Sequence, residues 1–109
     1  MAKIAINGFG RIGRLFFKLA ITKPELEIVA INDLGDIENL AYLLKYDSAY
    51  GRFNKDVLVK DGKLVVEGKE YQFLQEKDAT KLPWSQLGVD IVVEATGVFE
   101  SFVGSINLL

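Results

Sequence analysis

No cysteine and no histidine occurs anywhere in the 109 residues. Disulfides, thiolate nucleophiles, imidazole acid–base chemistry and the common zinc sites are therefore excluded within this chain. A redox enzyme built from it alone would have to work with tyrosine, lysine or carboxylates. No apolar run approaches the roughly 18 residues that cross a bilayer. The stretch 3–6 is too short for a signal-peptide core, and glycines and an arginine follow it at once. The expected compartment is the cytosol. A net charge of −2 speaks against general attraction to nucleic acid or to a membrane surface. No internal repeat, low-complexity segment or flexible linker is visible. The length suits one small domain with a core of its own.

What is present begins with Asn7-Gly8-Phe9-Gly10-Arg11-Ile12-Gly13-Arg14. A short apolar strand precedes it over 3–7, and a helix follows over about 10–22. Strand, Gly-x-Gly-x-x-Gly, helix is the arrangement that cradles a dinucleotide pyrophosphate. Gly8 allows the tight turn, Gly10 lets the backbone approach the phosphates, and Gly13 lets helix and strand pack closely. The helix N-terminus then offers free N–H groups and a positive dipole end. A glycine pattern alone is weak, because such turns also serve structure only. A second strand over 26–32 strengthens it by ending at Asp33. That carboxylate lies 20 residues beyond Gly13, near the spacing of the group that binds the adenosine ribose. With Asn32 before it and Gly35 after it, Asp33 also suits a turn or helix-cap carboxylate, and the two roles can coexist.

The first helix carries Ile12, Leu15, Phe16, Leu19 and Ala20 at three- and four-residue spacing, a stripe expected to face a sheet. Lys23-Pro24 closes it. The two strands are continuous apolar runs, as parallel strands covered on both faces require. A second helix is expected from Asp36 to about Tyr46, with Leu40, Leu43 and Leu44 inward; 46–53 reads as an ordered loop. The period then changes. Residues 57–59, 63–66 and 70–74 are strand-like, separated by Asp61-Gly62 and Glu67-Gly68-Lys69, which predicts an antiparallel meander. Residues 82–88 read as a one-turn helix with Trp84 as a packing anchor. Residues 89–94 form the next core strand, ending at the junction Ala95-Thr96-Gly97. Residues 99–109 read as helical, weakened by Gly104. The chain is thus α/β, a partial doubly wound (Rossmann), mostly parallel sheet with a small antiparallel β-meander insertion. In such sheets ligands sit at the carboxyl ends of the strands.

Five blocks now stand together: Ala5 to Arg14, Ala30-Ile31-Asn32-Asp33-Leu34, Leu44-Lys45-Tyr46-Asp47-Ser48, Leu82-Pro83-Trp84, and Val93-Glu94-Ala95-Thr96-Gly97-Val98-Phe99-Glu100-Ser101. They resemble the start of phosphorylating glyceraldehyde-3-phosphate dehydrogenase, in that family's order and spacing, as far as about Ser101. The family oxidises glyceraldehyde 3-phosphate with NAD and inorganic phosphate, through a cysteine thiohemiacetal and thioester with a histidine base. The resemblance implies that NAD is the cofactor. It implies that Arg11 and Ile12 offer backbone contacts to the pyrophosphate, and that Asp33 binds the adenosine ribose with Asn32 beside it. Lys77 falls where the family often has a basic residue near the adenine, yet the cluster Glu76-Lys77-Asp78 equally suits a solvated face. Thr96 and Gly97 would line the crevice and Phe99 would flank it, although Thr96 also suits a plain strand-end hydrogen bonder. The candidate cofactor set is Asn7, Gly8, Phe9, Gly10, Arg11, Ile12, Gly13, Asn32, Asp33, Lys77, Ala95, Thr96, Gly97 and Phe99. Apolar Leu34 after Asp33 favours NAD over NADP, since a 2′-phosphate meets a carboxylate and no adjacent arginine.

The family chain is much longer, and its catalytic cysteine, histidine and substrate-phosphate sites lie beyond residue 109. From Phe102 onward the sequence departs from the family's alanine- and lysine-rich helix and looks like an altered end. The expectation is a truncated NAD-binding domain without its catalytic domain, inactive alone, with NAD or an adenine nucleotide as ligand. The rival expectation is a self-associating assembly module with no physiological coenzyme role, because a truncated sheet leaves an open edge and an uncovered apolar face. A homo-oligomer is expected in either case. A complete enzyme using tyrosine or lysine chemistry finds no support, since no lysine lies in an apolar stretch that would depress its pKa.

Overall fold

The structure is a computed structural model that describes residues 2–46, 55–77, 82–95 and 105–108, the last stretch through its backbone alone. The elements run β1 (Ala2–Asn7), α1 (Arg11–Ala20), β2 (Leu26–Asn32), α2 (Ile37–Tyr46), β3 (Val57–Lys60), β4 (Lys63–Val66), β5 (Lys69–Leu74), β6 (Ile91–Glu94) and β7 (Ser105–Leu108). They form one sheet in the order β3-β4-β5-β2-β1-β6-β7. The four central strands β5, β2, β1 and β6 are parallel to one another, whereas β4 and β7 flank them antiparallel. The chain steps outward from β1 to β2 to β5, then returns to the other side of β1 with β6. The order reverses between β1 and β6, and ligand crevices form at such reversals.

The meander follows from its turns. Asp61 and Gly62 both have positive φ, 52° and 74°, and Glu67 and Gly68 repeat the pattern at 50° and 81°. Two successive left-handed residues make the tight hairpin turn whose twist matches the flanking strands. They close the pairs Lys60–Lys63 and Val66–Lys69. β1 and β2 pair regularly from Ala2–Leu26 to Ile4–Ile28, then shift so that Ala5 lies opposite Ala30. Val29 is the extra residue of a β-bulge. Ile28 and Ile31, three apart, consequently reach the same side as Ile4 and Ile6.

That side carries the main core. Ile4, Ile6, Ile28, Ile31, Tyr71 and Val93 meet Phe17 and Ala20 of α1 and Leu40, Ala41 and Leu44 of α2. Phe17 stands edge-on to both Phe9 and Tyr71, with centroids 5.7 and 5.0 Å away. Burial pushes the Tyr71 hydroxyl above its ordinary pKa. A second cluster joins Ala5, Ala30 and Val92 to Trp84 and Val89. Trp84 is therefore the packing anchor its sequence context indicates. Its segment closes on itself: the Leu87 N–H reaches four residues back to the Pro83 carbonyl, and the Gly88 and Val89 N–H groups return to the Ser85 and Trp84 carbonyls.

Two expectations are corrected. The inward stripe of α1 is Gly13, Arg14, Phe17 and Ala20, not the leucines: Leu15 is 42 % and Leu19 is 58 % exposed. Gly13 touches the strand turn and so fixes the helix's rotation. Residues four and seven further on share its face, and those two and six further on lie opposite. Second, 99–109 is not a helix throughout. Ser105–Leu108 is a strand, antiparallel to β6 from Glu94–Ser105 to Ile91–Leu108. The β-branched and apolar residues of that stretch satisfy the free hydrogen-bonding edge of β6, which a local periodicity does not register.

Urea unfolding distinguishes the two readings of α1. Phe17→Ala is expected to lose about 3–5 kcal/mol, whereas Leu19→Ala stays within about 0.5 kcal/mol of the parent.

Candidate functional site

Three of the four parallel strands end on a polar residue: Asn7 on β1, Asn32 on β2 and Glu94 on β6. The register places Asn7 opposite both Asn32 and Glu94. Their side chains link into a rail. Asn7 donates from Nδ2 to Glu94 Oε2 at 2.8 Å. Asn32 donates from Nδ2 to Asn7 Oδ1 at 2.9 Å and to the Glu76 carbonyl at 3.0 Å, and its Oδ1 accepts from Glu76 N–H at 2.8 Å. Glu76 lies two residues past the end of β5, so the rail ties together the ends of all four parallel strands. Asn32 is buried, and every polar group of its amide used here has a partner, as burial demands.

Above this rail the chain turns into α1. Gly8 has φ 101°, a conformation that favours glycine, and its N–H donates to the Asn32 carbonyl at 2.7 Å. A Cβ on Gly13 would lie 2.1 Å from the Gly8 carbonyl oxygen, so no side chain fits there. Arg14 is buried and donates from Nη1 to the Phe9 carbonyl at 3.1 Å, which braces the turn from beneath. The helix begins without a side-chain cap on Gly10 and without an acidic residue in its first turn. Its first intrahelical bond runs from Arg14 N–H to the Gly10 carbonyl. The N–H groups of Arg11, Ile12 and Gly13 precede it and have no intrahelical acceptor. Together with the dipole they suit an anion.

Asp33 stands beside this turn. Its Oδ2 accepts from Phe9 N–H at 2.6 Å and its Oδ1 from Gly35 N–H at 2.7 Å. A carboxylate has about four acceptor positions, so two remain for the hydroxyls of a ribose. The turn role and the ligand role expected of Asp33 are thus compatible in one geometry. A dinucleotide fits the chemistry: uncapped helix donors for the pyrophosphate, and an acceptor pair for the ribose one strand away.

Residues 2–102 match the family model described as glyceraldehyde 3-phosphate dehydrogenase, NAD binding domain. The chain belongs to this family. Among its relatives, the glyceraldehyde-3-phosphate dehydrogenase of Clostridium acetobutylicum is 59 % identical over 99 residues, covering 91 % of this chain and 30 % of that protein. The enzyme of Salmonella typhimurium is 56 % identical over 97 residues, and glyceraldehyde-3-phosphate dehydrogenase A of Escherichia coli 55 % over 97 residues; each alignment covers 89 % of this chain and 29 % of the relative. The chain therefore spans about three tenths of the length of these relatives. NAD is the cofactor of the domain family, in agreement with the glycine turn. No helix among the described residues is long and apolar enough to cross a membrane, and no described cluster of acidic residues could hold a metal ion.

Against this NAD-binding domain the candidate residues separate into groups. Gly8, Gly10, Arg11, Ile12, Gly13 and Asp33 meet at one place. Asn7 and Asn32 lie directly beneath, with their amides occupied by the rail. The Phe9 ring is fully buried in the main core, so only its backbone belongs to the turn. Ala95 is buried and its N–H donates to the Asn7 carbonyl at 2.8 Å, which continues β6 alongside β1. Lys77 is exposed just beyond β5. Thr96, Gly97 and Phe99 lie outside the described residues, as does the loop 47–54. Sequence reasoning missed Glu94, Arg14 and Gly35 as working parts of the site. For Glu94 a signal existed: three apolar strands each end on a polar residue able to hydrogen-bond sideways, and parallel pairing brings those ends level.

Replacing Asn32 by leucine keeps the branching at Cγ and removes every rail bond its side chain makes. Asn32→Leu is expected to cost about 2–4 kcal/mol in urea unfolding, because Glu76 N–H and the Asn7 amide lose their buried partner.

Proposed function

We propose that this chain is the NAD-holding part of a glyceraldehyde-3-phosphate dehydrogenase and performs no oxidation by itself. In this reading the pyrophosphate sits on the N–H groups of Arg11 and Ile12, with Gly8, Gly10 and Gly13 shaping the approach. Asp33 accepts hydrogen bonds from the adenosine ribose hydroxyls. Asn7 and Asn32 hold the strand ends in place, and Lys77 lies on the adenine side beyond β5. By the family motif, Thr96 and Gly97 would line the coenzyme crevice and Phe99 would flank it. The observation that carries the reading is the Asp33 carboxylate bonded to the glycine turn beside an uncapped helix N-terminus. The preference is for NAD, since the carboxylate repels a 2′-phosphate and exposed Leu34 supplies no cation.

NAD supplies a hydride acceptor when bound. This chain's own residues bind and orient the adenosine half. With no thiol in the sequence nothing here forms a thioester, and no imidazole is present to take up the proton of a hemiacetal hydroxyl. The relatives' aldehyde oxidation would require residues from the remaining seven tenths of such a protein. Affinity for NAD is accordingly modest, because half of the ligand lacks contacts.

Titration calorimetry tests this directly. NAD is expected to bind, and Asp33→Ala to weaken binding about tenfold; equal affinity would remove the coenzyme role. A dehydrogenase assay of the chain alone should give no turnover.

A second reading, self-association, has its own support. β3 is an edge strand with Leu58 62 % exposed, and Tyr42 and Tyr46 of α2 stand beside it at 61 % and 47 %. They line a groove of about 380 Å³ with Ala41, Val57 and Val59. Open strand edges next to exposed apolar side chains favour pairing between copies. Sedimentation is expected to show a dimer or larger species that Leu58→Lys shifts toward monomer; a clean monomer at high concentration would exclude it.

A further inference from the structure

Asp33 is held from two separate turns. Phe9 N–H comes from the turn between β1 and α1, and Gly35 N–H from the turn between β2 and α2. A carboxylate anchored through both oxygens cannot rotate without losing a short, charge-assisted bond. It also has little room to move. A Cβ on Gly35 would lie 3.0 Å from Asp33 Oδ1 and 3.4 Å from Leu40 Cδ1, so a methyl there fits only if the carboxylate gives way by a few tenths of an ångström. Gly35 is absent from the glycines with positive φ among the described residues, which are Gly8, Gly62, Gly68 and Gly88. Glycine at this position therefore provides space rather than an unusual backbone. The Gly35 peptide is fixed on its other side as well, where its carbonyl accepts from Gln75 Nε2 at 2.9 Å.

We propose that Gly35 is a specificity-determining positioning residue: with Phe9 N–H it locks the Asp33 carboxylate in the orientation that accepts the two ribose hydroxyls and refuses a 2′-phosphate. The inference rests on the NAD reading above. A carboxylate free to swing would withdraw its charge from an incoming phosphate and lose discrimination. A locked one keeps a negative charge where the 2′-substituent arrives, so the wrong cofactor meets a fixed repulsion. Discrimination then depends on two backbone N–H groups and an absent methyl group, as well as on the aspartate itself. A methyl at Gly35 presses on Oδ1 and either breaks the Phe9 bond or tilts the carboxylate.

The experiment uses the 109-residue chain and its Gly35→Ala and Asp33→Asn variants. Without nucleotide, the Phe9 amide proton should resonate far downfield in the wild type, the signature of a short bond to a carboxylate. Gly35→Ala is expected to move that resonance upfield, to weaken NAD more than NADP in calorimetry, and to lower the NAD-to-NADP affinity ratio about tenfold. The melting transition should remain cooperative. An unmoved Phe9 resonance with an unchanged ratio would overturn the proposal. Should Gly35→Ala fail to fold, Asp33→Asn carries the test. The two donors stand at different oxygens and the amide replaces one of these with a donor NH2, so the Phe9 or the Gly35 amide must shift; if neither does, the lock does not exist. Failure of the wild type to bind NAD would overturn the cofactor reading and the specificity role with it. The Phe9 resonance would still decide the lock by itself.

Discussion

The contact between Gly13 and the Gly8 carbonyl is the constraint from which the rest follows. With a Cβ 2.1 Å from that oxygen excluded, α1 can settle directly onto the turn that begins it. This approach fixes the helix in both position and rotation. Phe17 and Ala20 then face the sheet, Leu15 and Leu19 face away, and Arg14 reaches back to brace the Phe9 carbonyl. The same contact aims the first turn of the helix over the strand ends. A helix displaced outward by even one methyl group would keep its dipole but lose the register between its free N–H groups and Asp33.

Beneath the turn, the rail of Glu94, Asn7, Asn32 and the Glu76 backbone holds four strand ends level. Main-chain pairing alone leaves the last residue of each strand able to fray. Polar side chains that bond across the ends remove that freedom, and they do so where a ligand would need a rigid floor. The energetics are asymmetric, because each buried amide gains modestly when paired and costs more when orphaned. The rail therefore contributes more through what its disruption would expose than through the strength of any one bond.

Much of this was legible in the residues. The glycine turn, the parallel order and the meander depend on local chemistry: positive-φ glycines, continuous apolar strands and Asp-Gly turns. Asp33 could be read from spacing for its ligand role and from Gly35 for its turn role. Three features could not be read locally. The inward face of α1 depends on one glycine contact that overrides the apolar stripe. The strand Ser105–Leu108 exists because β6 offers an unpaired edge, a fact of tertiary pairing. The rail needs the β1–β2 register, and that register contains a bulge which no pattern in Leu26 to Asn32 announces.

That bulge has a further meaning. Val29 changes the parity of β2 midway, so Ile28 and Ile31 point to the same side although an unbroken strand would send them to opposite sides. It works as a phase correction of one residue. Were the pairing regular from Ile28 onward, Ile31 would stand level with Asn7, and Asn32 would be one step out of reach. Position 29 is consequently the single point in the strand where the chain can shed a residue while every pair on either side keeps its partner.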